Sequence, residues 1–400
     1  MASYTKIKAN NKQGYKWICT LEGPTDPVTG KRKQIPRRGD TQKEAFAKAQ
    51  KALDELTEHN LDSRSLSKLS FEEVAQDWLK YYSKTNVKNR TIRTRFQEIK
   101  ILLKYYGKVS INKVTFKLHQ DMLYDLDDKG YSSSTIKGVN VTANMIMKYA
   151  MKHKWRLDNP FLEATIPSKP LTVEEIENDP IIEKILEKDE LAEFLLAVKE
   201  HGEFMDNVIF HLLAFSGMRS GELCSLKDSD FFFDTNEIRI TKTIDFPKNN
   251  MRNYFLTPPK TKGSVRRVDI IQEVMDAAEA HIDLMKRQRL INKKLYDDYH
   301  NETFLFANEN GYPLSPRNIL MRMKKILKQT NIKKKATPHI FRHTHVSMLA
   351  EAEVDLKTIM ERVGHDDAKT TLKVYTHVTK KMKKNANEKI RLHYSSIIQL

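Results

Sequence analysis

The chain has 400 residues and a formal net charge of +17, with 69 Lys and Arg against 52 Asp and Glu. That length supports two or three domains with their own cores, and that charge points to a polyanion, most simply nucleic acid. Cys19 and Cys224 give neither a disulfide framework nor a CxxC metal pattern, residues 1–6 lack the apolar core of a signal peptide, and the apolar run 208–215 falls short of the ~20 residues a membrane span needs. Disulfide-stapled and membrane-spanning classes are thereby excluded, and a reduced, cytoplasmic setting is expected.

In chain order, residues 1–60 read as a small sheet followed by a helix. Tyr15 to Leu21 alternates like a strand, Asp26-Pro27-Val28-Thr29-Gly30 is turn chemistry, and the basic run 31–38 is a second strand or edge. Asp40 or Thr41 then caps a helix carrying Ala45, Phe46, Ala49 and Leu53. The polar stretch 61–68 is a linker. From Ser70 the pattern is helical to about residue 165. Ser70-Phe71-Glu72-Glu73 is a capping box, and further helices run from Asn89 to Tyr106, near Thr115 to Leu126, and from Ser132–Thr135 to about Lys154. Arg90, Arg93, Arg95 and Lys100 on the second helix suit contacts to a phosphate backbone.

Proline and acid in 166–184 mark a connector. A third domain follows. Lys188 opens one helix, and Val208 to Phe215 forms a buried one. In Ser216-Gly217-Met218-Arg219-Ser220-Gly221-Glu222-Leu223, Gly217 permits a close turn and Ser220 is expected to cap the next helix, through Cys224 and Leu226. That places Arg219 at a helix N-terminus, where an anion is favoured. Residues 237–244 and 265–270 read as two strands of a hairpin with Lys260 and Lys262 at its tip. A lysine there can enter a groove and donate a proton. Helical segments at 272–295 and 320–327 lead to Thr337-Pro338-His339-Ile340-Phe341-Arg342-His343-Thr344-His345.

In that segment Thr337 is expected to cap a helix with Pro338 in its first position. His339, Arg342 and His343 then share one face, and Ile340, Phe341, Met348 and Leu349 supply a buried side. Arg342 lies in the first turns, and its fork can clamp a phosphate with two hydrogen bonds. Gly364 suits a left-handed helix stop before His365, and Asp366 or Asp367 can cap a helix carrying Tyr375. The tail beyond Lys380 is amphipathic and could pack on its own domain or a neighbouring copy.

Arg219, a hairpin lysine, His339-x-x-Arg342, Gly364-His365 and Tyr375 occur in one order, and this ordered set resembles the tyrosine recombinase family, in particular integrases of temperate phages and conjugative transposons. The resemblance is strongest over about 185–380. It implies a multidomain, mainly α protein with small β-sheets. The expected domains are a ββ(β)α arm-site-binding module at 1–60, a four-helix core-site-binding domain at 68–165, a linker at 166–184, an α+β catalytic domain at 185–380 and a tail at 381–400. It further implies that Tyr375 is the nucleophile, that Arg219 and Arg342 neutralise the phosphate, and that His339 assists proton transfer. His365 hydrogen-bonds a phosphate oxygen, and Lys262 (with Lys260 as the alternative) is the general acid. His343, His345 and His377 match no catalytic position of the family. No cofactor and no metal is implied. The implied partners are double-stranded DNA with core and arm sites, three further copies in a tetramer, and accessory directionality or DNA-bending proteins; no membrane is involved, and the protein would be associated with the nucleoid.

Other readings fit parts of the pattern. A zinc site could use His339, His343 and His365, although Ile340 stands where an H-E-x-x-H site has glutamate. A non-catalytic DNA-binding protein on the same scaffold, a type IB topoisomerase and a Xer-like resolvase remain as alternatives. Tyr375 with a hairpin lysine argues against the first of these, and the residues before 68 argue against the others.

Overall fold

The computed structural model describes residues 2–11, 13–25, 32–59, 69–168, 185–247, 250–259, 262–365, 368, 371–376, 378 and 394. It divides into two compact units, Met1–Pro170 and Leu171–Leu400. Several expected features lie outside the described residues: the 26–30 turn, the 61–68 linker, most of the 166–184 connector, Lys260, the Lys262 side chain, Asp366, Asp367, His377 and nearly all of the tail.

In the first unit, buried Cys19 and Leu21 alternate with more open neighbours along β2 (Tyr15–Thr25), the middle strand of an antiparallel sheet. β3 (Arg32–Gly39) pairs on one side and β1 (Ser3–Lys8) on the other. β1 has no buried face, so no alternation marks it; backbone pairing from Ser3↔Thr20 to Lys8↔Tyr15 holds it in register. α1 (Gln42–His59) lays Ala45 and Ala49 against Cys19 and Leu21.

The helical part follows the capping signals. Ser70 accepts from the Glu73 N–H at 3.2 Å, and Glu73 accepts from the Ser70 N–H at 2.8 Å, which opens α2 (Phe71–Ser83). α3 (Asn89–Tyr106), α4 (Phe116–Asp128) and α5 (Ser133–Lys152) follow, the last two capped by Thr115 and Ser132. Phe71, Trp78, Leu102, Tyr106, Ile146 and Phe161 fill the core between them.

The second unit starts with α6 (Lys188–His201), α7 (Asp206–Ser216) and the one-turn α8 (Ser220–Leu223). Three short strands form a sheet in the order β4 (Phe231–Phe232), β5 (Glu237–Ile240), β8 (Arg266–Asp269), and β6 (Thr243–Asp245) pairs with β7 (Phe255–Thr257). α9 (Gln272–Leu295), α10 (Pro316–Leu327), α11 (His339–Glu351) and α12 (Leu356–Val363) complete it. Phe194, Phe210 and Phe341 meet in its main core. The class is as expected, mainly helical with small antiparallel sheets.

Three local expectations are corrected. The single strand 237–244 breaks between β5 and β6, where the Ser225 hydroxyl donates to the Lys242 carbonyl at 3.0 Å and Lys242 pairs with buried Asp230. Ser220 does not cap α8; Arg219 is the N-cap, its N–H bound by Glu222, and the helix ends at Leu223. Thr337 does not cap α11 either. Pro338 is already in the right-handed region, so the turn closes from the Thr337 carbonyl to the Ile340 N–H at 2.8 Å.

Candidate active site

The site is assembled around the end of α7. The last carbonyls of a helix have no partner within it, and here three side chains from α11 and α12 supply them. His345 Nδ1 donates to the Ala214 carbonyl at 3.0 Å, Arg362 Nη2 to that of Phe215 at 3.4 Å, and Arg342 Nη1 to that of Gly217 at 2.8 Å. Gly217 turns the chain with φ +63°, and a Cβ there would lie 2.7 Å from His345 Cδ2, so both backbone and packing require glycine. Two residues on, Arg219 begins α8.

Arg219 is held from inside that turn. Its backbone N–H and its Nη1 donate to the two oxygens of Glu222, at 3.0 and 2.8 Å, while 39% of its side chain stays exposed. Glu222 itself is 2% exposed and also accepts from Arg266 Nη2 at 3.0 Å. Burial works to raise the Glu222 carboxyl, but the charges of Arg266 and Arg219 and the Arg219 N–H prevail and hold it below the ordinary range. The pair of arginines therefore rests on a carboxylate that stays ionised.

Arg342 lies in the first turns of α11, as expected, and is fully buried there. Its Nε donates to His365 Nε2 at 3.1 Å, and its terminal nitrogens to the carbonyls of Gly217 and Val363. Burial, with Arg219 nearby, pulls its pKa down to about 9, so the guanidinium remains charged at neutral pH. Three of its donors engage the protein, and a guanidinium has five. α12 stops at Gly364 in the expected left-handed conformation, φ +68°, and hands the chain to His365. Because His365 Nε2 accepts from Arg342, the proton sits on Nδ1, which faces the Thr371 hydroxyl. Burial and the charges of Arg342 and Arg219 press the His365 pKa to about 3.

His339 opens α11 and meets His343 edge to face, ring centroids 4.7 Å apart. His339 keeps some exposure to solvent; desolvation, with His343, Arg342 and Arg219 beside it, lowers its pKa to about 4, so the ring is neutral at neutral pH. Tyr375 lies in a helical stretch at 371–376 and packs, half-buried, against Val346, Ala350, Ile359, Val363 and Val374. Thr371 and Tyr375 are one helical turn apart on one face, so the His365–Thr371 contact ties the histidine to the turn that carries the tyrosine. The backbone of Lys262 begins a short turn, Lys262–Ser264, and Ser264 donates to the Gly364 carbonyl at 3.3 Å. A cleft of about 440 Å³ opens between this turn and α12, lined by Gly263, Met360, Glu361 and His365 among others. Among the described residues, no three His, Cys, Asp or Glu side chains converge as metal ligands, and no helix is long and apolar enough to cross a membrane.

Thus Arg219, Arg342, His339 and His365 come together, and the backbones of Lys262 and Tyr375 are tied to the same turns. Sequence reasoning missed Glu222, Arg266, Arg362 and Thr371. Two had readable signals: Glu222 stands three residues after Arg219, at capping-box spacing, and Arg266 shares the inward face of its strand with Val268 and Ile270.

Residues 184–382 match the phage integrase family. The integrase of Staphylococcus phage L54a is 31% identical over 83% of this chain and 95% of its own length. A prophage ps2 probable integrase of Lactococcus lactis is 30% identical, over 90% and 92%. Among solved structures, a Tn1549 transposon integrase in complex with transposon right end DNA superposes with a TM-score of 0.59 at 23% identity, over 80% of this chain and 99% of that one. A lambda integrase tetramer bound to a Holliday junction gives 0.55 at 16%, over 89% and 91%. With relatives at this identity matched over nearly their whole length, the chain belongs to the phage integrase family of tyrosine recombinases and is a site-specific recombinase.

Proposed function

We propose that this recombinase integrates and excises a mobile element, a prophage or a conjugative transposon, by cutting and rejoining DNA through a tyrosine–DNA ester. The observation that carries the reading is the convergence of Arg219, Arg342, His339 and His365 at turns joined to the helix of Tyr375. Tyr375 Oη attacks the scissile phosphorus, a P–Oη bond forms, and the bond to the 5′-oxygen breaks. Lys262, or Lys260 in its place, gives the leaving oxygen its proton, and neutral His339 takes the proton of the tyrosine. Arg219 and the two remaining donors of Arg342 meet the charge that grows on the phosphoryl oxygens, and His365, whose Nδ1–H faces Thr371 in the free protein, bonds one of them by exchanging that partner for the phosphate. The ester conserves the energy of the broken bond, so attack by a 5′-hydroxyl of the partner strand reseals the DNA without ATP.

Residues 1–60 bind arm sites, 68–165 grip the core site and 185–380 carry the chemistry. Four copies pair two sites and pass through a Holliday junction, as the lambda assembly suggests by analogy, with accessory proteins setting direction. The +17 charge suits such a complex. Recombination between two plasmids carrying the element's sites tests the reading. Losing one preorganised transition-state donor costs about 10²–10³ in rate. Arg219→Ala and Arg342→Lys should each show losses of that order with core-site binding retained. Undiminished recombination by either variant would contradict it.

A further inference from the structure

The alternation of β8 sends its two arginines to opposite sides. Arg267 faces out, pairing with Glu237 at 2.8 Å and lying over the Phe232 ring at 4.4 Å. Arg266 faces in, and only 5% of its side chain is exposed. Its three nitrogens are bound in three directions: Nε donates to the Arg362 carbonyl at 2.8 Å, Nη1 to the Ser264 carbonyl at 3.1 Å, and Nη2 to Glu222 at 3.0 Å. A buried ion pair is often no more stabilising than apolar side chains of the same volume. Stability alone therefore gives no reason for an arginine here.

Each of the three bonds leads to a different part of the site. Glu222 holds Arg219 through both of its oxygens. Ser264 lies two residues after Lys262, at the base of the lysine hairpin. Arg362 stands three residues before His365, and Gly364 between them is so close that an added Cβ would lie 3.1 Å from Arg266 Nη1 and 3.1 Å from Ser264 Cα. Ser264 also donates to the Gly364 carbonyl. The lysine hairpin, the first arginine and the histidine turn are thus fastened to one guanidinium that does not itself belong to the phosphate-binding set.

We propose that Arg266 is a positioning residue that sets the base of the lysine hairpin against Arg219 and the Gly364–His365 turn, so that the lysine reaches the leaving 5′-oxygen in register with the phosphate clamp. The proposal rests on the reading of a hairpin lysine as general acid. Lysine cannot replace the fork: it places a charge near Glu222 but cannot hold Ser264 and Arg362 at the same time.

A change of leaving group separates positioning of the acid from general damage. Replacing the bridging 5′-oxygen by sulfur gives a thiolate that departs without a proton, so a defect in proton donation vanishes on that substrate while any other defect persists. Single-turnover cleavage of core-site DNA is measured with both substrates, alongside core-site affinity. Arg266→Lys is expected to lose at least about tenfold on ordinary DNA, a change of about 1.4 kcal/mol in barrier, with affinity nearly unchanged, and to recover most of that on the sulfur substrate. An equal defect on both substrates, or no defect, overturns the proposal. If Arg266→Lys does not fold, Ser264→Ala, which cuts the neighbouring tie to Gly364, takes the same assay. A loss recovered by sulfur supports the proposal, and unimpaired cleavage or an unrecovered loss overturns it. The double variant Lys260→Ala/Lys262→Ala is the control for the underlying reading. If sulfur does not rescue it, the general-acid assignment fails; if sulfur rescues it and not Arg266→Lys, only the role of Arg266 fails.

Discussion

His345 matches no catalytic position in the sequence, and in the structure it serves the end of α7. It takes no place beside the phosphate groups; it bonds Ala214 with one nitrogen and accepts from Arg362 Nε at 3.0 Å with the other. Burial and the Arg362 charge press its pKa to about 3. An unfolded histidine titrates near ~6.5. Below that pH the unfolded chain binds a proton that the folded one refuses, so the contribution of His345 is complete above 6.5 and is lost as pH falls toward 3. Urea unfolding should therefore show stability falling between pH 6.5 and 4.5. His345→Asn should flatten that slope by up to about 1.4 kcal/mol per pH unit, the value for one proton. An identical slope in wild type and variant would contradict the assignment. His339, Arg342 and Tyr375 stand out in the sequence because their chemistry is rare in combination. Glu222 and Arg362 escaped because a single carboxylate or arginine is common, and only the folded chain shows what each one touches.

Among elements, those that announce their own ends were read well. The Ser70 box, the Thr115 and Ser132 caps and the Gly364 stop depend on local bonds, and the structure keeps them. Elements whose ends are set by distant partners were misread. The 237–244 strand is broken by contacts from Ser225 and Asp230, which stand earlier in the chain. The turn from α7 to α8 shows how such distant contacts govern the site. Gly217→Ala puts a methyl group against His345 in a backbone conformation that costs a non-glycine residue roughly 1–3 kcal/mol. We expect a loss of stability of that order in urea, with strand cleavage reduced because Arg219 and the Arg342–Gly217 bond move with the turn. Wild-type stability together with wild-type cleavage would show that the turn does not set the site.

For the whole molecule, the order of motifs indicated the family, although the motifs lie as far apart as residues 216 and 377. Their meeting was not readable from local pattern; it rests on long-range bonds such as Arg342–Gly217 and Arg266–Arg362. Binding to core-site DNA should weaken steeply with salt, because each neutralised phosphate adds about −0.9 to the slope of log K against log[salt]. Deleting residues 1–60 should abolish arm-site binding while sparing core-site cleavage. A flat salt profile, or arm-site binding that survives the deletion, would contradict the proposed division of labour.

The most direct measurement is the capture of covalent protein–DNA adduct on nicked core-site DNA in EDTA, resolved on a denaturing gel, for wild type and Tyr375→Phe. The mechanism predicts an adduct with wild type and none with the variant, both binding the DNA equally. An adduct that persists in Tyr375→Phe, or its absence from wild type bound to the correct site, would contradict cleavage by Tyr375.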